Sequence, residues 1–210
     1  MVAIRAVVFD FGSVLSRTDP DYIGSFERDY GLTREQWRPL FAGPRAVEYD
    51  VGERFDRASV ERYLSRELAE YCGERSSEAA RRLAGVFDDV DSQIPNVEMI
   101  DLLTRLQGAG LPVGILSNGP VESLDLFRAL LGEVLPTVVV LSGTHGVRKP
   151  NRDAFESVAG ELGVALAECF FIDDQEALVE AARELGMGGH RFRGDVPKLE
   201  AALEATGLRF

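Results

Sequence analysis

Two adjacent acids after one short apolar run, a single acid after another, and a lysine set before a proline are the residues of this chain best suited to chemistry. Asp173-Asp174 follow Phe170–Ile172, Asp10 follows Ile4–Phe9, Ser117-Asn118-Gly119 follow Val113–Leu116, and Lys149 stands in Arg148-Lys149-Pro150 after Val138–Leu141. Three carboxylates brought together repel one another unless a cation sits among them, and all-oxygen ligation of that kind suits Mg²⁺ with several waters retained. A divalent ion would also neutralise an incoming phosphate. With Lys149 on the phosphate oxygens and Ser117 donating a hydrogen bond, a carboxylate oxygen of Asp10 is left to attack phosphorus in line, giving an aspartyl-phosphate. Lys149 stands out for a second reason: the chain has 23 basic residues, of which only Lys149 and Lys198 are lysines. A compact point charge is kept where arginine is otherwise used.

These groups converge only if the runs before them are strands of one sheet. The four runs are rich in β-branched and aromatic residues and apolar on both alternating faces, which is how buried parallel strands read. A weaker fifth strand is expected over His190–Phe192. Helical patterns alternate with them, over Val97–Leu106, Ala154–Leu162 and Ala177–Leu185, each followed by glycine. The expected fold class is therefore α/β, a three-layer Rossmann-like parallel sheet core whose ligands bind beyond the carboxyl ends of the strands. From about Arg17 to Asp91 the rhythm breaks: no strand is expected there, and Asp21–Tyr30, Thr33–Phe41, Ser59–Cys72 and Ser77–Phe87 look helical. Thr33 and Gln36 have capping-box spacing, and Gly43-Pro44 and Gly52 punctuate the stretch. The expected division is a core of residues 1–16 and 92–210 and an inserted helical cap subdomain of residues 17–91.

Composition narrows the function. The 210 residues carry a net charge of −12, which repels nucleic-acid backbones and anionic membranes alike. Cys72 and Cys169 make neither a disulfide framework nor a metal spacing, so a reducing, cytoplasmic setting is expected. No apolar run reaches the roughly 18 residues of a membrane span, and Asp10 interrupts the first run too early for a secretory signal.

In the order Phe9–Leu15, Leu116–Gly119, Arg148–Pro150 and Phe171–Asp174, with a helical insert between the first two, the chain resembles the haloacid dehalogenase-like superfamily of aspartate-nucleophile phosphatases over its whole length. The insert sits where members carry a C1-type cap. The Asp-x-Gly start, Tyr49 with Gly52-Glu53, Gly146–Pro150 and Phe171–Asp174 look most like its sugar-phosphate phosphatase branch, which includes glucose-1-phosphatases. The resemblance implies an Mg²⁺-dependent hydrolase of small phosphomonoesters, with Asp10, Ser117 and Lys149 catalytic. It implies phosphate contacts from Phe11, Gly12, Ser117, Asn118 and Lys149, and metal contacts from Asp10, the carbonyl of Gly12, Asp174 and Asp173. One departure matters. Most phosphatases of the superfamily have a second aspartate two residues after the nucleophile as general acid and base, and here Gly12 stands there. Such a group is worth about 10²–10⁴ in rate, so turnover is expected to be slow unless water, a cap residue, His145, Asp19 or Glu176 replaces it.

Two other functions compete. Gly12 and Leu116-Ser117-Asn118-Gly119 also resemble 2-haloacid dehalogenases, which need no metal, and the absent acid is compatible with a weakly catalytic protein that binds or senses a phosphorylated ligand. Plainer roles weigh on single residues: Asp173-Asp174 as caps of the next helix, with Asp174 the expected capping residue, Ser117–Gly119 as a turn, and His145 and His190 as ordinary loop or strand-end residues. Tyr22, Phe26, Tyr30 and Trp37 are read as cap core. Arg17, Arg45 and Arg54 are read as a solvated face.

Overall fold

The computed structural model describes residues 2–42 and 55–210. Five strands, β1 (Ala6–Phe9), β4 (Val113–Ser117), β5 (Val138–Leu141), β6 (Cys169–Asp173) and β7 (Gly188–Arg191), form one sheet in the order β5-β4-β1-β6-β7. Every neighbouring pair is parallel. Crossovers in such a sheet bury both faces, and β1 shows it. Val7 and Phe9 face a cluster that includes Met99, Leu103 and Leu106, Leu126 and Phe127, and Leu199 and Leu203. These come from α6 (Val97–Gly108), α7 (Ser123–Leu131) and α11 (Val196–Glu204). Ala6 and Val8 face the opposite cluster, with Ala154, Phe155 and Val158 of α9 (Arg152–Glu161) and Leu178 and Ala182 of α10 (Glu176–Glu184). Helix, sheet and helix make the three expected layers.

Strand order reverses at β1, since the chain builds outward through β4 and β5 on one side and through β6 and β7 on the other. Clefts open at such switch points beyond the carboxyl ends. Asp10, Ser117 and Asp173 therefore meet on one rim.

A second sheet pairs β2 (Ser16–Thr18) with β3 (Gln93–Pro95) antiparallel. The expectation that no strand lies within 17–91 is corrected here: Arg17 and Thr18 belong to β2, a strand of three residues, too short for its period to show in sequence. Between β2 and β3 the described regular elements are helical: α1 (Pro20–Tyr30), α2 (Arg34–Trp37), α3 (Pro39–Ala42), α4 (Arg57–Cys72), α5 (Ser76–Ala84) and short 3₁₀ turns. Asp19 caps α1 by accepting from the main-chain N–H of Asp21 at 2.6 Å, and Gly31, at φ 69°, ends it in the left-handed conformation that costs glycine least. The single helix expected over Thr33–Phe41 is two, divided ahead of Pro39, which cannot continue the ladder. Gln36 does reach back to the N–H of Thr33 at 2.8 Å. Phe26, Val60, Leu64, Leu68 and Leu83 form a third buried cluster with Tyr22, Tyr30 and Trp37 packed on it. Arg17 is exposed as expected; Gly43, Pro44, Arg45, Tyr49, Gly52, Glu53 and Arg54 lie outside the described residues.

Candidate active site

Lys149 is the centre of the rim. Its Nζ donates to Asp10 Oδ1 and to Asp173 Oδ2, both at 2.7 Å, and all three side chains are buried. Asp10 and Asp173 come straight from the ends of neighbouring β1 and β6, and Asp10 is held there by its N–H donating to Ile172 O at 2.8 Å. Asn118 fixes Lys149 from the side of β4: its Nδ2 donates to Lys149 O, and its Oδ1 accepts from Lys149 N, each at 3.0 Å. The Asn118 amide is thus spent on positioning Lys149. Ser117, the last residue of β4, is buried on the same rim.

Asp174 completes the acidic group. Carboxylate oxygens of Asp10, Asp173 and Asp174 lie within 4.8 Å of one another. Burial pushes the Asp10 carboxyl up to about 7; Lys149 opposes that shift, while Asp173 and Asp174 add to it. Asp174 is raised by burial and by Asp173. Burial also works against the charge of Lys149, yet Asp10 and Asp173 outweigh it and hold the ammonium above its ordinary value. Three acids against one ammonium leave negative charge that a divalent cation fits. Asp173 is already engaged at both oxygens, because Oδ1 accepts from Gln175 N at 2.8 Å. Asp173 thus closes a turn ahead of the Glu176–Glu184 helix, whose N-cap residue Gln175 makes no side-chain cap hydrogen bond, so the capping expected of Asp174 is not found.

The first loop is tightly wound. Phe11 O accepts from the N–H groups of Leu15 and Ser16 at 2.9 and 3.1 Å, and Ser13 takes a φ of 61°, uncommon outside glycine. Gly12 is exposed, and a Cβ built on it would meet nothing within 4 Å. None of the three side chains expected to replace the acid at that position lines the cleft. Asp19 caps α1, His145 contacts Glu161 at 3.1 Å, and Glu176 pairs with Arg183 and Arg191.

Beyond the rim a cavity of about 230 Å³ opens between the core loops and the helical insert, lined in part by Phe11, Gly12, Ser117 and Asn118. Sequence reasoning missed most of its wall, notably Phe87, Gln93 and Phe127, whereas Trp37, read as cap core with a side chain that could still meet the leaving group, lies in it. It also missed Ser142, whose Oγ accepts from Gly119 N at 3.0 Å and steadies the Ser117–Gly119 loop. Phe127 carries no signal beyond helical spacing, whereas Ser142 directly follows an apolar strand, as Ser117 ends one.

A parallel sheet with acids and a lysine gathered beside β1 defines a Rossmann-like α/β enzyme. The haloacid dehalogenase-like hydrolase family model matches residues 4–186, and the chain belongs to that family. It is 29% identical over 207 residues to a phosphoglycolate phosphatase of Xanthomonas campestris pv. campestris (strain 8004), covering 92% of this chain and 87% of that one. It is 26% identical over 190 residues to the sesquiterpene phosphatase astK of Aspergillus oryzae, covering 88% of each. A solved haloacid dehalogenase family enzyme of Bacteroides thetaiotaomicron, in complex with magnesium and inorganic phosphate, shares the fold. Its TM-score is 0.65 at 22% identity, covering 91% of this chain and 96% of that one. The chain is an enzyme of the phosphatase kind. Among the described residues no helix is long and apolar enough to cross a membrane.

Proposed function

We propose that this protein is an Mg²⁺-dependent hydrolase of small phosphomonoesters that works through an aspartyl-phosphate on Asp10, with residues 17–91 as a cap over the core. The observation that carries the reading is the buried set of Asp10, Lys149 and Asp173 with Asp174 beside it. Lys149 holds Asp10 Oδ1, and Oδ2 is assigned to attack. In the first half-reaction that oxygen bonds to phosphorus as the ester P–O bond breaks, and the alcohol oxygen leaves with the electron pair. In the second, a water oxygen bonds to phosphorus, the acyl-phosphate bond returns its electrons to Asp10, and the water's proton passes to solvent. Lys149, Ser117 and the main chain of Phe11, Gly12 and Asn118 orient the phosphate. Mg²⁺, held by Asp10, Asp174 and the carbonyl of Gly12 with Asp173 behind them, would neutralise charge on the phosphoryl oxygens.

Sugar phosphates, suggested by the motif likeness, are one class within this reading, and the names of the relatives support small phosphorylated substrates more broadly. The test is a panel of phosphorylated metabolites with Mg²⁺. Asp10-dependent phosphate release is expected, and a panel with no release would overturn the reading.

A further inference from the structure

The wall of the cavity says what kind of alcohol can leave. Its side toward the insert and α7 is largely apolar, with Ile23, Trp37, Phe87, Leu126 and Phe127, and Thr18 and Ser123 among them. Phe127 stacks on Phe11 with ring centroids 3.7 Å apart, placing the aromatic surface directly after the nucleophile's own position in the chain. Three of the seven Ser, Thr, Asn and Gln side chains in the lining are spent on other partners: Ser16 Oγ donates to Gln93 Oε1 at 2.9 Å, Gln93 Nε2 donates to Val86 O at 2.9 Å, and the Asn118 amide is bonded to the main chain of Lys149. Against the apolar side chains a polyol loses water without gaining a hydrogen-bond partner in return. An apolar cavity of about 150 Å³ takes a benzene ring, so one of about 230 Å³, shared with the phosphate beside Ser117 and Asn118, has room for an aromatic ring.

A second property is independent of the first. Among the described residues no side chain that lines the cavity is titratable, and at Gly12 the space beside the nucleophile is open. Among the described residues the departing oxygen meets no acidic proton donor from the wall. It leaves as an anion that is protonated by water, and the barrier then follows the acidity of the alcohol.

We propose that the substrates are phosphate monoesters of apolar, ring-bearing alcohols of low pKa, that is aryl phosphates, in preference to sugar or alkyl phosphates. This rests on the phosphatase reading above and narrows it. In the cleavage step the aryl P–O bond breaks, the phenolate takes the electron pair and a proton from water, and the phosphoryl group passes to Asp10 and then to water.

The experiment measures kcat/KM of the full chain with Mg²⁺ for a series of ring-substituted phenyl phosphates, naphthyl phosphate, glucose 1-phosphate and phosphoglycolate. Aryl esters are expected to exceed the sugar and alkyl esters by about a hundredfold or more, and log kcat/KM is expected to fall steadily as the phenol pKa rises. Gly12→Asp, which fits the open space, is expected to flatten that dependence and to raise the poorest leaving groups most. Trp37→Ala is expected to raise KM for naphthyl phosphate while leaving inhibition by inorganic phosphate unchanged. Turnover that favours glucose 1-phosphate, or a series with no dependence on phenol pKa, overturns the inference and leaves the phosphatase reading standing. Release from none of these esters overturns both.

Discussion

Lys149 and Asn118 are joined by a two-way bond, the side-chain amide of Asn118 donating to and accepting from the main chain of Lys149 at 3.0 Å each way. The ammonium is thereby fixed between Asp10 and Asp173 before any ligand arrives. Such preorganisation is what positions a reacting oxygen without a rearrangement at the moment of reaction.

Removing the cation leaves two buried carboxylates without their partner. Lys149→Met is expected to destabilise the chelated protein by about 3–5 kcal/mol, the usual cost of breaking a buried ion pair from one side. Urea denaturation measures it, and Mg²⁺ is expected to recover part of the loss, since the metal binds the folded form. Lys149→Arg is not expected to restore turnover, because a planar guanidinium does not occupy a point-charge site. An unchanged midpoint for Lys149→Met would show that the ammonium does not balance the acids.

The acids themselves set a pH dependence. The Asp10 carboxyl, ordinarily at 3.8, is pushed up to about 7, chiefly by burial. Between those values the folded chain keeps a proton that the unfolded chain has released, so this group's contribution to stability falls as pH rises through the window. In chelator, wild-type stability is expected to drop more steeply from pH 4 to 7 than that of Asp10→Asn. Parallel curves would remove burial as the dominant influence on Asp10.

Gly143 seals the joint between insert and core. A Cβ there would lie 2.6 Å from Phe55 O and 2.6 Å from Val121 N, both main-chain atoms, in a place where Val121 N donates to Phe55 O at 3.2 Å. Gly143→Ala is expected to cost about 1–3 kcal/mol through overpacking and to slow turnover, because Gly143 N also donates to Gly119 O at 2.9 Å. A thermal melt and an aryl phosphate assay check both effects; an unaltered melting temperature would mean that the joint has slack.

The core was legible because its strands are buried on both faces. Val113–Leu116 and Phe170–Ile172 read as uninterrupted apolar runs, and the polar residue after each one marked the rim. Lys149 was legible through composition, as one of two lysines. What stayed hidden depends on tertiary contact. Three-residue β2 has no period to detect, the turn that Asp173 closes onto Gln175 depends on where one carboxylate points, and Trp37, Phe87 and Phe127 become a cavity wall only when the insert folds against α7. Asn118 was recognised as a site residue, while its bond to the backbone of Lys149, 31 positions away, has no local signature.

The account depends most on Asp10 as a nucleophile that works with a divalent cation. Phosphate release from phenyl phosphate, followed for wild type and Asp10→Asn with Mg²⁺ and with chelator, tests both parts together, and halide release from 2-chloropropionate in chelator serves as the control for carbon chemistry. The account predicts wild-type release that chelator abolishes and Mg²⁺ restores, a loss of about a thousandfold or more in Asp10→Asn, and no halide release. Turnover by Asp10→Asn comparable to wild type, or metal-independent release of halide, would contradict it.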